Sequence, residues 1–534
     1  MSYNVTCRVK AYIQPFERRL ALQELTALAG AEPRPLPSLV DETDRFQVRS
    51  QTPPQDLARE LAFWEVVAAD ETFTTYQSLR ESTVNVIRNG ISLAELAKLL
   101  PFNGSVPLPN RRCLRYASHG LHEYRGKFFP QLVRTLINVA NVPRSSIVAD
   151  PFCGSGTAAV ETMLADRKAI GLDMNPLSVF VARTKCSVLN VKVKQLENAY
   201  LIVSKRLLSG SRPSRKYSRL VEISEADFEY LNTWFHPRVL DELDGIYATI
   251  RASTGGAIRD LFLVCVSNIL RRVSWQKEDD LRIRKEMKRV NDLNVTSEFL
   301  AEAQRSMRLI VAFLRQERAC PPTYVSIQEG DAKNLSVLWN AWKDKIDLVI
   351  TSPPYATALP YLDTDRLSLC FLGLLPRTKH RQWDHHMIGN REITEKTRQT
   401  YWKEFNSHHH KLPQSIVDLI INIHQLNLNS GAGFRRRNLP SLLYKYFIDM
   451  REVLVGLHAI VRKGAHVFVV IGNNHTIAGG KHIDIPTADL LSEIAASTGF
   501  DVLEETPMEM LVSRDLFRKN AIGSEKIVHF RKAA

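Results

Sequence analysis

Ser146-Ile147-Val148-Ala149 is a short apolar run. It is followed by Asp150-Pro151-Phe152-Cys153-Gly154-Ser155-Gly156-Thr157 and then by a helical pattern from Ala158 to Leu164. The run reads as a buried parallel strand. Gly154 and Gly156 permit a tight strand-to-helix turn and let a ligand approach the backbone where the helix begins. A second strand, Lys168 to Leu172, ends in Asp173. That puts a carboxylate about 20 residues past the glycine turn, where a βαβ nucleotide unit holds a ribose hydroxyl. Asp150 either meets a ligand or caps the helix and bonds turn amides. The glycines also fit a loose dinucleotide fingerprint, but Phe152 and Cys153 crowd a position that such a turn leaves to glycine.

Further strands are expected at 324–328, 346–350, 466–471, 501–504 and 526–530. The alternation with helical patterns implies an α/β doubly wound sheet. The strand Ile346 to Ile350 runs straight into Thr351-Ser352-Pro353-Pro354-Tyr355. Two prolines end the strand, stiffen the turn and remove two backbone donors. The carbonyls there are left to accept from something else. Ser352 adds a small acceptor and Tyr355 an aromatic face. Such a corner suits a planar base with an exocyclic amine.

Together these motifs resemble those of the DNA amino-methyltransferases. The pattern Asp-x-Phe-x-Gly-x-Gly is met by Asp150, Phe152, Gly154 and Gly156, and the catalytic Ser-Pro-Pro-Tyr by Ser352, Pro353, Pro354 and Tyr355. His122 to Pro130 is similar to the family's Lys-Phe-Pro segment, which surrounds the methionine end of the cofactor. The resemblance implies S-adenosylmethionine as cofactor and a Rossmann-like sheet of seven strands, the last inserted antiparallel. It implies cofactor contacts at Tyr124, Lys127, Phe128, Asp150, Phe152, Gly154, Gly156, Thr157, Asp173 and Asp331, the last facing the adenine. Thr-Ser-Pro-Pro-Tyr is the version most associated with cytosine-N4 methylation. Adenine-N6 methylation of DNA and base-amine methylation of RNA (tRNA) remain alternatives. A relict, non-catalytic nucleic-acid-binding subunit is disfavoured by three intact motifs.

The chain has 534 residues, a net charge of +14 and a hydrophobic content of 44%. This length implies several domains. The expected division is a small α+β domain at 1–100, a methyltransferase domain at 113–186, 323–371 and 446–534, a helical insertion at 187–322, and a target-recognition insertion at 372–445. Within the first, 57–67 reads as a helix. The second insertion is rich in arginine, tryptophan and histidine and follows the Ser-Pro-Pro-Tyr turn, which fits it to recognition. The basic excess favours a polyanionic partner, and the resemblance implies that this is double-stranded DNA. A restriction or defence component is a further partner the class implies. No run reaches the length of a membrane helix. Seven scattered cysteines without paired spacing point to reduced thiols in a cytoplasm and to no metal framework, and DNA as partner implies association with the nucleoid. The histidines at 408–410 read as a solvated loop rather than as metal ligands.

Overall fold

The computed structural model describes residues 2–36, 44–88, 90–123, 129–277, 284–287, 293–317, 323–356, 362–390, 393–407, 411–428, 433–508 and 525–533. An N-terminal unit holds five strands: β1 (Tyr3–Val9), β2 (Arg34–Pro35), β3 (Arg45–Ser50), β4 (Trp64–Ala68) and β5 (Thr72–Thr74). They form an antiparallel sheet in the order β2-β3-β1-β4-β5. The expected helix over 57–67 is corrected here. The helix is confined to Pro54–Glu60, and Trp64–Ala68 is a strand. Leu57, Ala58 and Leu61 carry helical spacing. Beyond them Trp64, Val66 and Val67 favour a pleated surface, and pairing with β1 decides the matter.

The main sheet contains β6 (Ile147–Asp150), β7 (Lys168–Asp173), β8 (Val325–Glu329), β9 (Ile346–Thr351) and β10 (Val461–Gly472). A hairpin follows, β11 (Asn474–Ala478) and β12 (Lys481–Ile485). The sheet is completed by β13 (Phe500–Met508) and β14 (Glu525–Lys532). The order is β13-β14-β10-β9-β6-β7-β8. The pairs from β8 across to β10 are parallel. Strand β14 lies antiparallel to both β10 and β13. This is the Rossmann-like methyltransferase arrangement, with the small N-terminal sheet as an addition.

Both faces of the main sheet are covered, so its strands are apolar on both sides. On one face Val148, Leu348, Ile350, Phe468 and Val470 join one buried cluster with Leu132 and Leu136 of the helix Pro130–Val139 and with the N-terminal unit. On the other, Ala149, Val349, Val467 and Val469 pack against the helices Phe434–Ile460 and Thr487–Ser497. The N-terminal unit is also tied to the helix Pro130–Val139 by polar contacts. Lys10 Nζ and Gln131 Nε2 both donate to Glu81 Oε1, at 2.7 and 3.0 Å. Asn138 Nδ2 donates to Glu24 at 2.8 Å, and Arg134 pairs with Glu60 at 2.9 Å.

The helix Phe434–Ile460 contains Pro440. A proline there has no N–H for the carbonyl of Arg436. Asn427 Nδ2, from the helix Gln414–Leu428, donates to that carbonyl instead, at 2.9 Å.

Candidate functional site

In a parallel sheet the C-terminal strand ends share one edge, and ligands bind there. Strands β6 and β9 are neighbours, with Ala149 opposite Val349. The glycine turn and the Ser-Pro-Pro-Tyr turn therefore leave the sheet side by side. A hydrogen bond joins them: Thr351 Oγ1 donates to Asp150 Oδ1 at 2.6 Å, and Phe152 N donates to the same oxygen at 3.0 Å. Asp150 is buried, and burial pushes its carboxyl up to about 7 despite both donors.

Gly154 and Gly156 take positive φ, 47° and 84°. A Cβ on Gly156 would stand 2.8 Å from Ala182 Cβ, so the turn needs glycine both for its twist and for its closeness to the helix Pro176–Val188. Gly154 N donates to Asp173 Oδ2 at 2.8 Å, and Asn175 N donates to Asp173 Oδ1 at 2.8 Å. The Met174 backbone N–H also acts on this carboxylate, and of its roughly four acceptor positions at least one is left for a ligand donor. Burial raises this carboxyl to about 6. Thr157 opens the buried helix Thr157–Leu164, and Phe152 packs half-buried against the cluster on the far face. Asp331, just past β8, accepts from Lys333 N at 3.0 Å. Next to it lies a cavity of about 410 Å³ lined by Lys333, His385, Tyr401, Tyr444 and Asp449. Tyr124, Lys127 and Phe128 lie outside the described residues, as do the histidines at 408–410. His122, at the start of that segment, is buried with Nε2 3.4 Å from Ser267 Oγ. Cys153 is buried and its thiol is held well above its usual range by burial, which keeps it protonated.

Pro353 is buried, while Ser352, Pro354 and Tyr355 are half-buried. Sequence reasoning missed the residues that brace this corner. Tyr355 donates its hydroxyl to Glu525 Oε1 at 2.6 Å. Asn474 Nδ2 donates to Ala356 O at 2.6 Å. Gly389 has a φ of 79°, and a Cβ there would stand 2.9 Å from Tyr355 O. Beyond Asp173, Asn175 caps the next helix and donates to Asp365 Oδ2 at 2.8 Å, while Trp383 Nε1 donates to Met174 O at 3.1 Å. An Asn-Pro pair at a helix start was a readable cap signal. No local pattern announces the others.

The N6/N4 methyltransferase family model, described as DNA methylase, matches residues 71–182. The chain is 26% identical over 396 residues to the Type II methyltransferase M.MvaI of Kocuria varians, covering 71% of this chain and 80% of that one. It is 20% identical over 434 residues to the Type II methyltransferase M.BsoBI of Geobacillus stearothermophilus, covering 73% and 81%. A shorter likeness, 33% over 81 residues, is to the tRNA (guanine(10)-N2)-dimethyltransferase of Methanocaldococcus jannaschii; it covers 14% of this chain and 23% of that one. With the sheet order and the glycine turn, these matches make the chain similar to the S-adenosylmethionine-dependent DNA amino-methyltransferases.

Proposed function

We propose that the protein methylates a specific site in double-stranded DNA at the exocyclic amine of an extruded base, and that the base is cytosine, modified at N4. The observation that carries this reading is the pair of adjacent turns: Ser352 to Tyr355 stands one strand from the glycine cradle and is bonded to it through Thr351 and Asp150. Serine at 352, in place of a carboxylate, favours cytosine N4 over adenine N6.

The edge fits S-adenosylmethionine. The glycine turn opens the helix Thr157–Leu164, and Asp173, bonded to Gly154 N, is the carboxylate assigned to the ribose hydroxyls. Asp331 is assigned to the adenine, and Tyr124, Lys127 and Phe128 to the methionine end. When bound, the cofactor supplies an electrophilic sulfonium methyl. The chain's own part is positioning. The conjugated amine is a poor nucleophile. The Ser352 hydroxyl and the Pro353 carbonyl accept its two N–H groups and hold the nitrogen pyramidal, its lone pair aimed at the methyl. The amine becomes acidic once alkylated, so no strong base is needed beforehand. Extruding the base costs a few kcal/mol. Stacking on Tyr355, worth roughly 1–3 kcal/mol, offsets part of it.

Residues 113–186, 323–371 and 446–534 then make up the catalytic domain. Residues 372–445 read the target, 187–322 form a helical insertion, and 1–100 brace the helix Pro130–Val139. A cognate restriction or defence component and nucleoid association belong to the same reading. Tritium transfer from labelled cofactor to duplex DNA, with tRNA in parallel, tests the substrate. Modification-aware sequencing of DNA from expressing cells then reports base and context. Label in tRNA alone, or in adenine alone, would overturn the corresponding part.

A further inference from the structure

We propose that Glu525 is a positioning residue that holds the ring of Tyr355 in the plane needed to receive the extruded base. The inference rests on the reading of Tyr355 as a stacking platform. Because β14 runs against its neighbours, its first residue, not its last, reaches the ligand edge. Glu525 pairs there with Gly472, the final residue of β10. Its carboxylate accepts from the Tyr355 hydroxyl at 2.6 Å across 170 residues of sequence. Burial raises the Glu525 carboxyl and the Tyr355 hydroxyl opposes that shift, so the bond is strongest to the ionised carboxylate.

The backbone end of the ring is fixed as well. Pro354 restricts the preceding torsion, Asn474 holds the next carbonyl, and Gly389 lets a neighbouring segment close on Tyr355 O. With both ends fixed, the ring is set before any base arrives, and ordering it then adds no rotamer entropy to base capture. Without Glu525 the ring keeps its packing against the buried cluster and its backbone anchors but loses the hydrogen bond at its hydroxyl.

The test measures methyl transfer from labelled S-adenosylmethionine to unmethylated genomic DNA by the full chain, with cofactor affinity measured separately. Glu525→Ala is expected to lower kcat/KM about tenfold. Tyr355→Phe, which keeps the ring and loses the hydroxyl, is expected to lose a similar factor. Glu525→Gln, which still accepts, should recover most activity. The double variant Glu525→Ala with Tyr355→Phe should lose no more than Glu525→Ala alone, because both remove one interaction. Cofactor affinity should stay within about twofold throughout. Multiplying losses in the double variant, or cofactor affinity falling in step with activity, would overturn the role. Should Glu525→Ala not fold, the near-isosteric pair decides: a deficient Tyr355→Phe beside an active Glu525→Gln supports the inference, and an active Tyr355→Phe rejects it. If the unaltered protein transfers no methyl to DNA, the functional reading fails and takes the inference with it.

Discussion

Thr351 Oγ1 lies 2.6 Å from Asp150 Oδ1, so the residue just before the Ser-Pro-Pro-Tyr turn is hydrogen-bonded to the residue that begins the glycine turn. One buried carboxyl thus sets the spacing of two loops on neighbouring strands. Thr351→Val keeps the shape and removes the donor. It is expected to cost about 1–3 kcal/mol, seen both as a lower melting temperature and as weaker cofactor binding. A calorimetric titration that returns unaltered affinity would argue against this coupling.

The two carboxyls at the site make binding depend on pH. Burial raises Asp150 from 3.8 to about 7 and Asp173 from 3.8 to about 6. In the unliganded protein these groups bind more protons folded than unfolded between about pH 4 and 7. Their contribution to stability is complete below pH 3.8 and is lost as pH rises through 6 and 7. A ligand that donates hydrogen bonds to the carboxylates favours the ionised forms. Cofactor affinity should therefore climb from pH 5 to 7.5 and then level off. Asp173→Asn should weaken binding and flatten the slope, which titrations across that range would show.

Tyr355→Ala separates the two halves of the site. Cofactor affinity should be retained and methyl transfer to DNA lost, because stacking worth roughly 1–3 kcal/mol is removed. Parallel loss of both in one titration series would contradict the role given to the ring.

Gly156→Ala combines a positive φ with a contact of 2.8 Å to Ala182 Cβ. Strain of roughly 1–3 kcal/mol should appear as a lower melting temperature and as loss of cofactor binding. A protein that melts and binds as before would show that the turn does not need glycine at that position.

Lys10 and Glu81 form an ion pair with side chains 1% and 0% exposed. Lys10→Met leaves the carboxylate without its cation, and such breaks cost about 3–5 kcal/mol. Chemical denaturation should show this, and adding Glu81→Gln should restore part of it. Equal stability of Lys10→Met and the unaltered chain would rule out the pairing as a brace.

The legible part of the chain is what local pattern controls. Apolar runs ending at Ala149, Leu172 and Ile350, each followed by turn chemistry, marked strands that the structure contains at those places. The antiparallel insertion came through family resemblance, since periodicity carries no strand order. Trp64–Ala68 was misread because its helical neighbours blur the boundary and its partner strand lies far upstream. Glu525, Asn474 and Gly389 could not be read at all. Each acts on the Tyr355 corner from a distant stretch, and a single acid, amide or glycine has no spacing to reveal it.

The helix Phe434–Ile460 spans about 40 Å at 1.5 Å per residue and runs directly into β10. Arg435, Arg436 and Arg437 lie on its outer side of Pro440. A pull on that tip meets an amide side chain where a backbone rung would otherwise sit. Asn427 thereby ties the arginine-bearing start of this helix to the neighbouring helix Gln414–Leu428 at the rung Pro440 leaves open, so the orientation of those arginines depends on a second element.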